Sequence, residues 1–324
     1  MLNYLIRRIL YMVPIVVGVM MLTFLLFNVV FTPRQMALRI LGPKASPQTI
    51  ENWLHNRGYD KPVWVNVQPG QNVLDSQFFN SLRQFAVFDL GKSLATDEPI
   101  LAMIKRGAVP SLMITLPAFV LGLALALAFS LLLVFVRESL IDRWGAVLCI
   151  ASMSIPITVY VIFGQWVAAN LFSYFPAFGF NLEGFSTLRF VALPISIMVL
   201  SGIGADVRLY RAIFLEEVRA EYIRTAHAKG ASNARVLFVH VLKNGMISII
   251  TLVVASLPFL IMGTLVLESF FGIPGLGNMV TTAIHTSDFA VIKADVFVGS
   301  LLFLFGLLLT DICYALVDPR IRLQ

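Results

Sequence analysis

Residues 111–136, SLMITLPAFVLGLALALAFSLLLVFV, decide the fold: no residue in the run carries a charge. Coiled as an α-helix at 1.5 Å per residue, the run is about 39 Å long, more than the ~30 Å hydrocarbon core of a bilayer. Five further apolar stretches predict spans over residues 9–31, 144–172, 190–205, 246–267 and 296–317. The stretch over 190–205 is the shortest. These runs have helical length, unlike the ~10-residue alternating segments of a membrane β-barrel. An all-α integral membrane protein with six transmembrane helices is expected.

Composition agrees. Of 324 residues, 58% are apolar and 13% charged, against roughly 45–50% and 25% in soluble domains. The mean hydropathy is +0.85. The net charge of +6 is not a nucleic-acid footprint, because the basic residues follow membrane topology. With the N-terminus inside, the inner segments hold Arg7, Arg8, Arg137, Arg143, Arg208, Arg211, Arg219, Arg224, Lys229, Arg235, Lys243, Arg320 and Arg322. The short outer loops hold Lys293, with Arg189 at a boundary. Cytoplasmic loops are enriched in Lys and Arg, so both termini are expected in the cytoplasm. Arg7 and Arg8 precede an apolar run longer than a signal-peptide core, with no cleavage motif after it, which predicts a retained first span.

The expected organisation is a cytoplasmic N-terminus and first span (residues 1–31), an extracytoplasmic insert (32–110), a five-helix core (111–317) and a cytoplasmic tail (318–324). Within the insert, Ser46 and Pro47 predict a helix start and Gly58 its stop, around residues 48–57. Residues 63–67 read as a short strand, and 78–86 and 99–105 as short helices. Trp53, Trp64, Phe78, Phe79 and Phe85 supply a small core or an interfacial belt.

Candidate chemistry is sparse. Cys149 and Cys313 lie in apolar runs, and the four histidines, His55, His227, His240 and His285, show no ligand spacing. Gly91-Lys92-Ser93 resembles the end of a phosphate-binding loop, but the glycine required at position 86 is Ala86. No catalytic, cofactor or metal residues are therefore expected in this chain. Asp311 is the main ionisable residue within the spans, which argues against ion-coupled carriage. Pro14, Pro117, Pro156, Pro194 and Pro258 fall inside spans and mark possible kinks.

Residues 206–245 form the one long cytoplasmic segment, with seven basic and four acidic residues. A helix is predicted over 209–228, stopped by Gly230, and a second over 234–243 capped by Ser232 or Asn233. On the first, Tyr222, Thr225, Ala226 and Lys229 share a face. That face suits a docking partner; a solvated charged loop is the alternative.

The residues of this segment also carry a resemblance. Glu221-Tyr222-Ile223-Arg224-Thr225-Ala226-His227-Ala228-Lys229-Gly230 resembles the cytoplasmic loop of ABC importer permeases in the dipeptide/oligopeptide/nickel branch, B-type subunit. The general pattern there is E-A-A-x-x-x-G; here Arg224 replaces the glutamate, as is usual in that branch, and His227 stands where arginine is frequent. Further matches are Tyr4-Leu5-Ile6-Arg7-Arg8, Phe88-Asp89-Leu90-Gly91-Lys92-Ser93, the outer loop from Glu268 through Gly272, Ile273, Pro274, Gly275, Leu276 and Gly277, and Asp318-Pro319-Arg320-Ile321-Arg322. The chain departs from the family by lacking G-D-P near Thr32-Pro33-Arg34 and by extra residues near 68–75.

The resemblance implies the six-helix type I importer frame. It also implies a second homologous permease, two ATP-binding cassette ATPases that bind the ATP and Mg, and an extracytoplasmic substrate-binding protein. Arg219, Glu221, Tyr222, Arg224, Thr225, Ala226, His227, Ala228, Lys229 and Gly230 would form the ATPase-coupling segment. It implies peptides or related small solutes as the cargo class, and the bacterial inner membrane as the location. A bulky residue at Ala226 or Gly230 is expected to uncouple transport from ATP hydrolysis. An ion-coupled secondary transporter, a membrane enzyme and an assembly subunit are the competing readings.

Overall fold

In a computed structural model the chain is described over residues 2–66, 72–171, 175–181 and 186–317. Two compact units emerge. One is built from residues 1–107 and 279–308, the other from residues 108–278 with the end of the last helix. Among the described residues there is no strand; a lone antiparallel bridge joins Lys92 and Pro99.

In the first unit, α1 (Leu2–Phe24) continues as a π-helical segment, Leu25–Val30. Its outer face is bare, with Leu10, Val13 and Leu22 exposed as a lipid-facing helix requires. The widened turn carries Asn28, which is buried and accepts from Lys293 Nζ at 2.6 Å while donating to Gln77 at 2.9 Å. Gln77 in turn donates to the carbonyls of Tyr59 and Lys61. A π-turn inserts one residue and turns a side chain out of helical register, and here that side chain is the acceptor for the half-buried Lys293, which also lies 5.8 Å from the Phe27 ring centroid.

Next come α2 (Pro33–Leu41) and α3 (Pro47–Asn56), both with proline at the first turn. Ser46 accepts from Thr49 N at 3.2 Å, and Gly58 takes φ +69°, so the predicted start and stop of this helix stand within a residue. Ile50 and Trp53 pack with Phe27, Met36 and Phe289, and Arg57 lies 4.5 Å over the Trp53 ring. The fourth helix, α4 (Gln77–Ala86), begins a residue before the predicted start. Residues 63–66 do not form the expected strand: they have no ladder partner, and their backbone meets α4 through Phe78 N to Val63 O. Val67 and the first part of the extra stretch at 68–75 lie outside the described residues.

The fifth helix, α5, runs Ile100–Phe135. The short helix expected over 99–105 is its first turns: Gly107 and Pro110, which separate it from the apolar run in sequence, lie inside one continuous helix. At 36 residues it is about 54 Å long and overshoots the hydrocarbon core. The expected single span over 144–172 is broken into α6 (Leu140–Met153) and α7 (Ile157–Leu171), bent by 94°. Pro156 supplies the cause, since the residue before proline is pushed out of the helical region.

Its successor, α8 (Ser186–Val218), carries the fourth span far past the expected end at residue 205 and holds Asp206, Arg208 and Arg211 as helical residues. Ala220 then stands extended before α9 (Glu221–Ala228). A turn, α10 (Asn233–Arg235), leads through a π-helical segment (Val236–Val241) straight into α11 (Leu242–Ser256). The expected separate helix over 234–243 therefore merges with the next span. That span stops at Ser256, just before Pro258, and continues as α12 (Phe259–Met262), α13 (Leu265–Phe271) and α14 (Leu276–His285). The last helix, α15 (Phe289–Val317), starts seven residues earlier than expected and so includes Lys293 and Asp295. Five helices are long and apolar enough to cross a membrane, and up to seven spans result if each bent pair counts as one.

The second unit packs closely where side chains are small. A Cβ on Gly204 would meet Cys149 O at 2.7 Å, and one on Gly245 would meet Phe214 at 2.7 Å. Without a hydrophobic drive inside lipid, such close approach is how membrane helices gain dispersion contacts.

Candidate functional site

Helix α9 is built to be held from one side. Ile223 and Ala226 are buried among Val134, Tyr210, Phe214, Val236, Leu237 and Val241. The expected shared face is corrected here: Ala226 turns into the chain's own core, three residues from Ile223, while Tyr222, Thr225 and Lys229 stay exposed. With Glu221, Arg224, His227, Ala228 and Gly230 also exposed, the free surface covers most of the helix.

The C-terminus of α9 closes as a Schellman motif. Gly230 N donates to His227 O at 2.9 Å, Ala231 N donates to Ala226 O at 3.1 Å, and Gly230 takes φ +81°. Space for a Cβ exists at Gly230, but the left-handed backbone disfavours one. Arg224 pairs with Glu221 at 3.0 Å on the open surface, where such a pair contributes little. Tyr222 donates its hydroxyl to Glu217 on α8. Burial first, and that carboxylate second, push the Tyr222 phenol above its ordinary pKa.

The long helix that leads into α9 is clamped. Arg211 donates to both Asp142 oxygens, Nε at 2.9 Å and Nη2 at 2.7 Å, and Asp142 also accepts from Glu138 N at 3.1 Å. This ties the start of α6 to α8. Sequence reasoning did not single out Asp142; an acid three residues after the capping Ser139 was the available signal.

The loop containing Gly272, Pro274, Gly275 and Gly277 is wrapped around one carboxylate. Glu268 is 1% exposed. It accepts from Ser111 Oγ at 2.8 Å, Thr264 N at 3.0 Å and Asn278 N at 3.1 Å. Ser111 Oγ in turn accepts from Leu276 N at 2.8 Å. A Cβ on Gly275 would lie 2.5 Å from Ser111 Oγ, and one on Gly277 would lie 2.6 Å from the Thr264 carbonyl carbon. Gly272 takes φ +65° to end α13. The glycines are thus required by close approach and by a left-handed turn. Glu268 and Ser111 as the hub escaped sequence reasoning, though a glutamate opening an apolar loop was a visible clue.

In the first unit, Ser93 of the Asp89-Leu90-Gly91-Lys92-Ser93 stretch donates to Asp288 Oδ2 at 2.5 Å. Leu94 N and Ala95 N reach the same carboxylate, which also accepts from Val291 N at the start of α15. The apparent phosphate-loop ending is therefore a structural tie between the insert and the last helix. Among the described residues no group of three His, Cys, Asp or Glu side chains is placed to hold a metal. The stretch from Asp318 to Arg322 lies outside the described residues.

Comparison with known proteins gives two family matches. Residues 118–323 match the family described as binding-protein-dependent transport system inner membrane component, and residues 1–115 match its N-terminal model. The chain is 29% identical to the dipeptide transport system permease protein DppB of Alkalihalophilus pseudofirmus, over 99% of this chain and 100% of that protein. It is 30% identical to a putative peptide transport system permease protein of Brucella abortus, over 98% of each. To the glutathione transport system permease protein GsiC of Shigella flexneri it is 28% identical, over 99% of each.

Proposed function

The chain belongs to the family of binding-protein-dependent transport system inner membrane components, and from that premise we propose how this permease is assembled and driven. It is a multi-pass permease subunit of an ABC importer. It pairs with a second homologous permease to form the path, and two ATP-binding cassette ATPases bind ATP and Mg below it. A substrate-binding protein delivers cargo from outside. Both termini lie in the cytoplasm of a bacterium, in keeping with the charge bias of the inner segments. The relatives named for dipeptide, peptide and glutathione transport make short peptides the proposed cargo.

One observation carries the coupling role: α9 is a separate helix, anchored by Ile223 and Ala226 and open on its other sides. Residues Arg219 to Gly230 are proposed to seat in an ATPase cleft. Closure of the ATPase pair would push α9, and its core with Phe214 and Val241 would pass the displacement to α8 and α11, since packed cores resist compression. The loop around Glu268 is proposed to face the binding protein, with Gly272, Pro274, Gly275 and Gly277 giving it a fixed shape.

Native mass spectrometry of the gently extracted assembly tests this composition. One copy of this chain with one sibling permease and two ATPases is the expected mass. A lone chain or homo-oligomer that persists across mild detergents would sink the proposal and favour an ion-coupled carrier.

A further inference from the structure

A groove of about 300 Å³ lies between α5, α8 and α11, entirely within the second unit. Its floor is small: a Cβ added to Gly202 would meet nothing within 4 Å, and one on Gly122 only Val199 at 3.9 Å. Phe119 and Tyr210 give it aromatic walls, and Ser256 adds a hydroxyl. Asp206 is the one carboxylate on the lining, which holds no lysine, arginine or histidine. It stands four residues from both Gly202 and Tyr210, so the three share one face of α8.

Among the described residues no hydrogen-bond donor or cation serves the Asp206 carboxylate. Arg211 is committed to Asp142. Arg208, two residues on, projects from a different side of the helix. A carboxylate within a membrane helix is costly unless it faces a wet cavity or meets a cation, which makes it a functional-site candidate by default. The volume matches the lower end of small-molecule sites and exceeds what one arriving lysine or arginine tip would fill.

We propose that Asp206 receives the terminal ammonium group of a transported peptide, with Phe119 and Tyr210 adding cation–π attraction as the cargo passes. This rests on the peptide-importer reading above. The groove would then select for a free amino terminus independently of the binding protein.

The complete complex in proteoliposomes provides the test. ATP-driven uptake is measured for one peptide and for its N-acetylated form, each loaded on the binding protein, in the parent and in Asp206→Asn and Asp206→Glu. The ratio of free-amino to acetylated uptake is expected to fall about tenfold in Asp206→Asn, the loss of one charge-assisted contact, and to be largely restored in Asp206→Glu. An unchanged ratio in Asp206→Asn overturns the proposal. So does an Asp206→Asn chain that no longer co-purifies with its sibling permease, which would assign the carboxylate to a contact between subunits. A parent complex that moves neither peptide overturns the peptide-importer reading and the proposal with it.

Discussion

Replacing Gly275 with alanine drives a methyl group into the clamp around Glu268. The added Cβ would lie 2.5 Å from Ser111 Oγ and 2.6 Å from Glu268 Cδ, and closer still to Glu268 Oε2. Carbon needs about 3.5 Å to such neighbours, so the carboxylate must move by roughly an ångström. It cannot move that far and keep its donors: Ser111 Oγ, Thr264 N and Asn278 N all lie within 3.1 Å of it. Losing two hydrogen bonds to a charged acceptor, at about 1.5–3 kcal/mol each, costs about 3–6 kcal/mol. That is a large share of the ~5–15 kcal/mol that holds a typical domain together. The assay is the thermal transition of the purified protein in detergent, with membrane abundance measured alongside. Gly18→Ala is the control, because a Cβ there meets nothing within 4 Å and alanine favours a helix by about 1 kcal/mol. Gly275→Ala is expected to melt well below the parent and Gly18→Ala at or above it. A Gly275→Ala protein that melts with the parent would refute the clamp as the reason for glycine.

Three further outcomes are expected. Ala226→Leu overfills the core beneath α9, at a cost of about 1–3 kcal/mol, so it should lower the melting temperature; Thr225→Trp, on the exposed side, should leave melting unchanged and reduce only ATP-coupled uptake. Arg211→Met strands the buried Asp142 carboxylate and should cost about 3–5 kcal/mol, while Arg211→Met with Asp142→Asn should recover much of it, as measured by denaturation of the three variants. The Lys61 ammonium and then Asn80 hold Asp75 below the usual carboxylate pKa. Its contribution is therefore present at neutral pH and lost as pH falls through that lowered value; the stability gap between parent and Asp75→Asn should close on acidification, and a constant gap would contradict the pairing.

Much of the helical frame was legible because apolarity and length are what a bilayer selects. The helix over Pro47–Asn56 was legible to within a residue because Ser46, Pro47 and Gly58 are local signals. The ends of the spans were less so. The fourth span was ended at residue 205 because charges follow, yet a helix needs backbone bonds rather than apolar side chains, and α8 runs unbroken through Asp206, Arg208 and Arg211 to Val218. Pro156 marked a kink in sequence, but the size of the break, 94°, is not a local property: α6 and α7 both pack on α8 on either side of it. Periodicity placed Ala226 on a face with Tyr222 and Thr225; it carries no information on which side the chain's own core occupies, and Phe214 and Val241 decided that. The Glu268 hub joins residues 157 apart in sequence, a pairing no local pattern records.

The most direct test of the account is uptake by a reconstituted complex of this chain with the proposed partners: a sibling permease, two ATPases and a binding protein. Proteoliposomes with ATP and Mg inside are given a labelled peptide, with and without a proton uncoupler. The account predicts uptake that requires ATP and the binding protein and is unchanged by the uncoupler. Uptake that the uncoupler abolishes at constant ATP would contradict it.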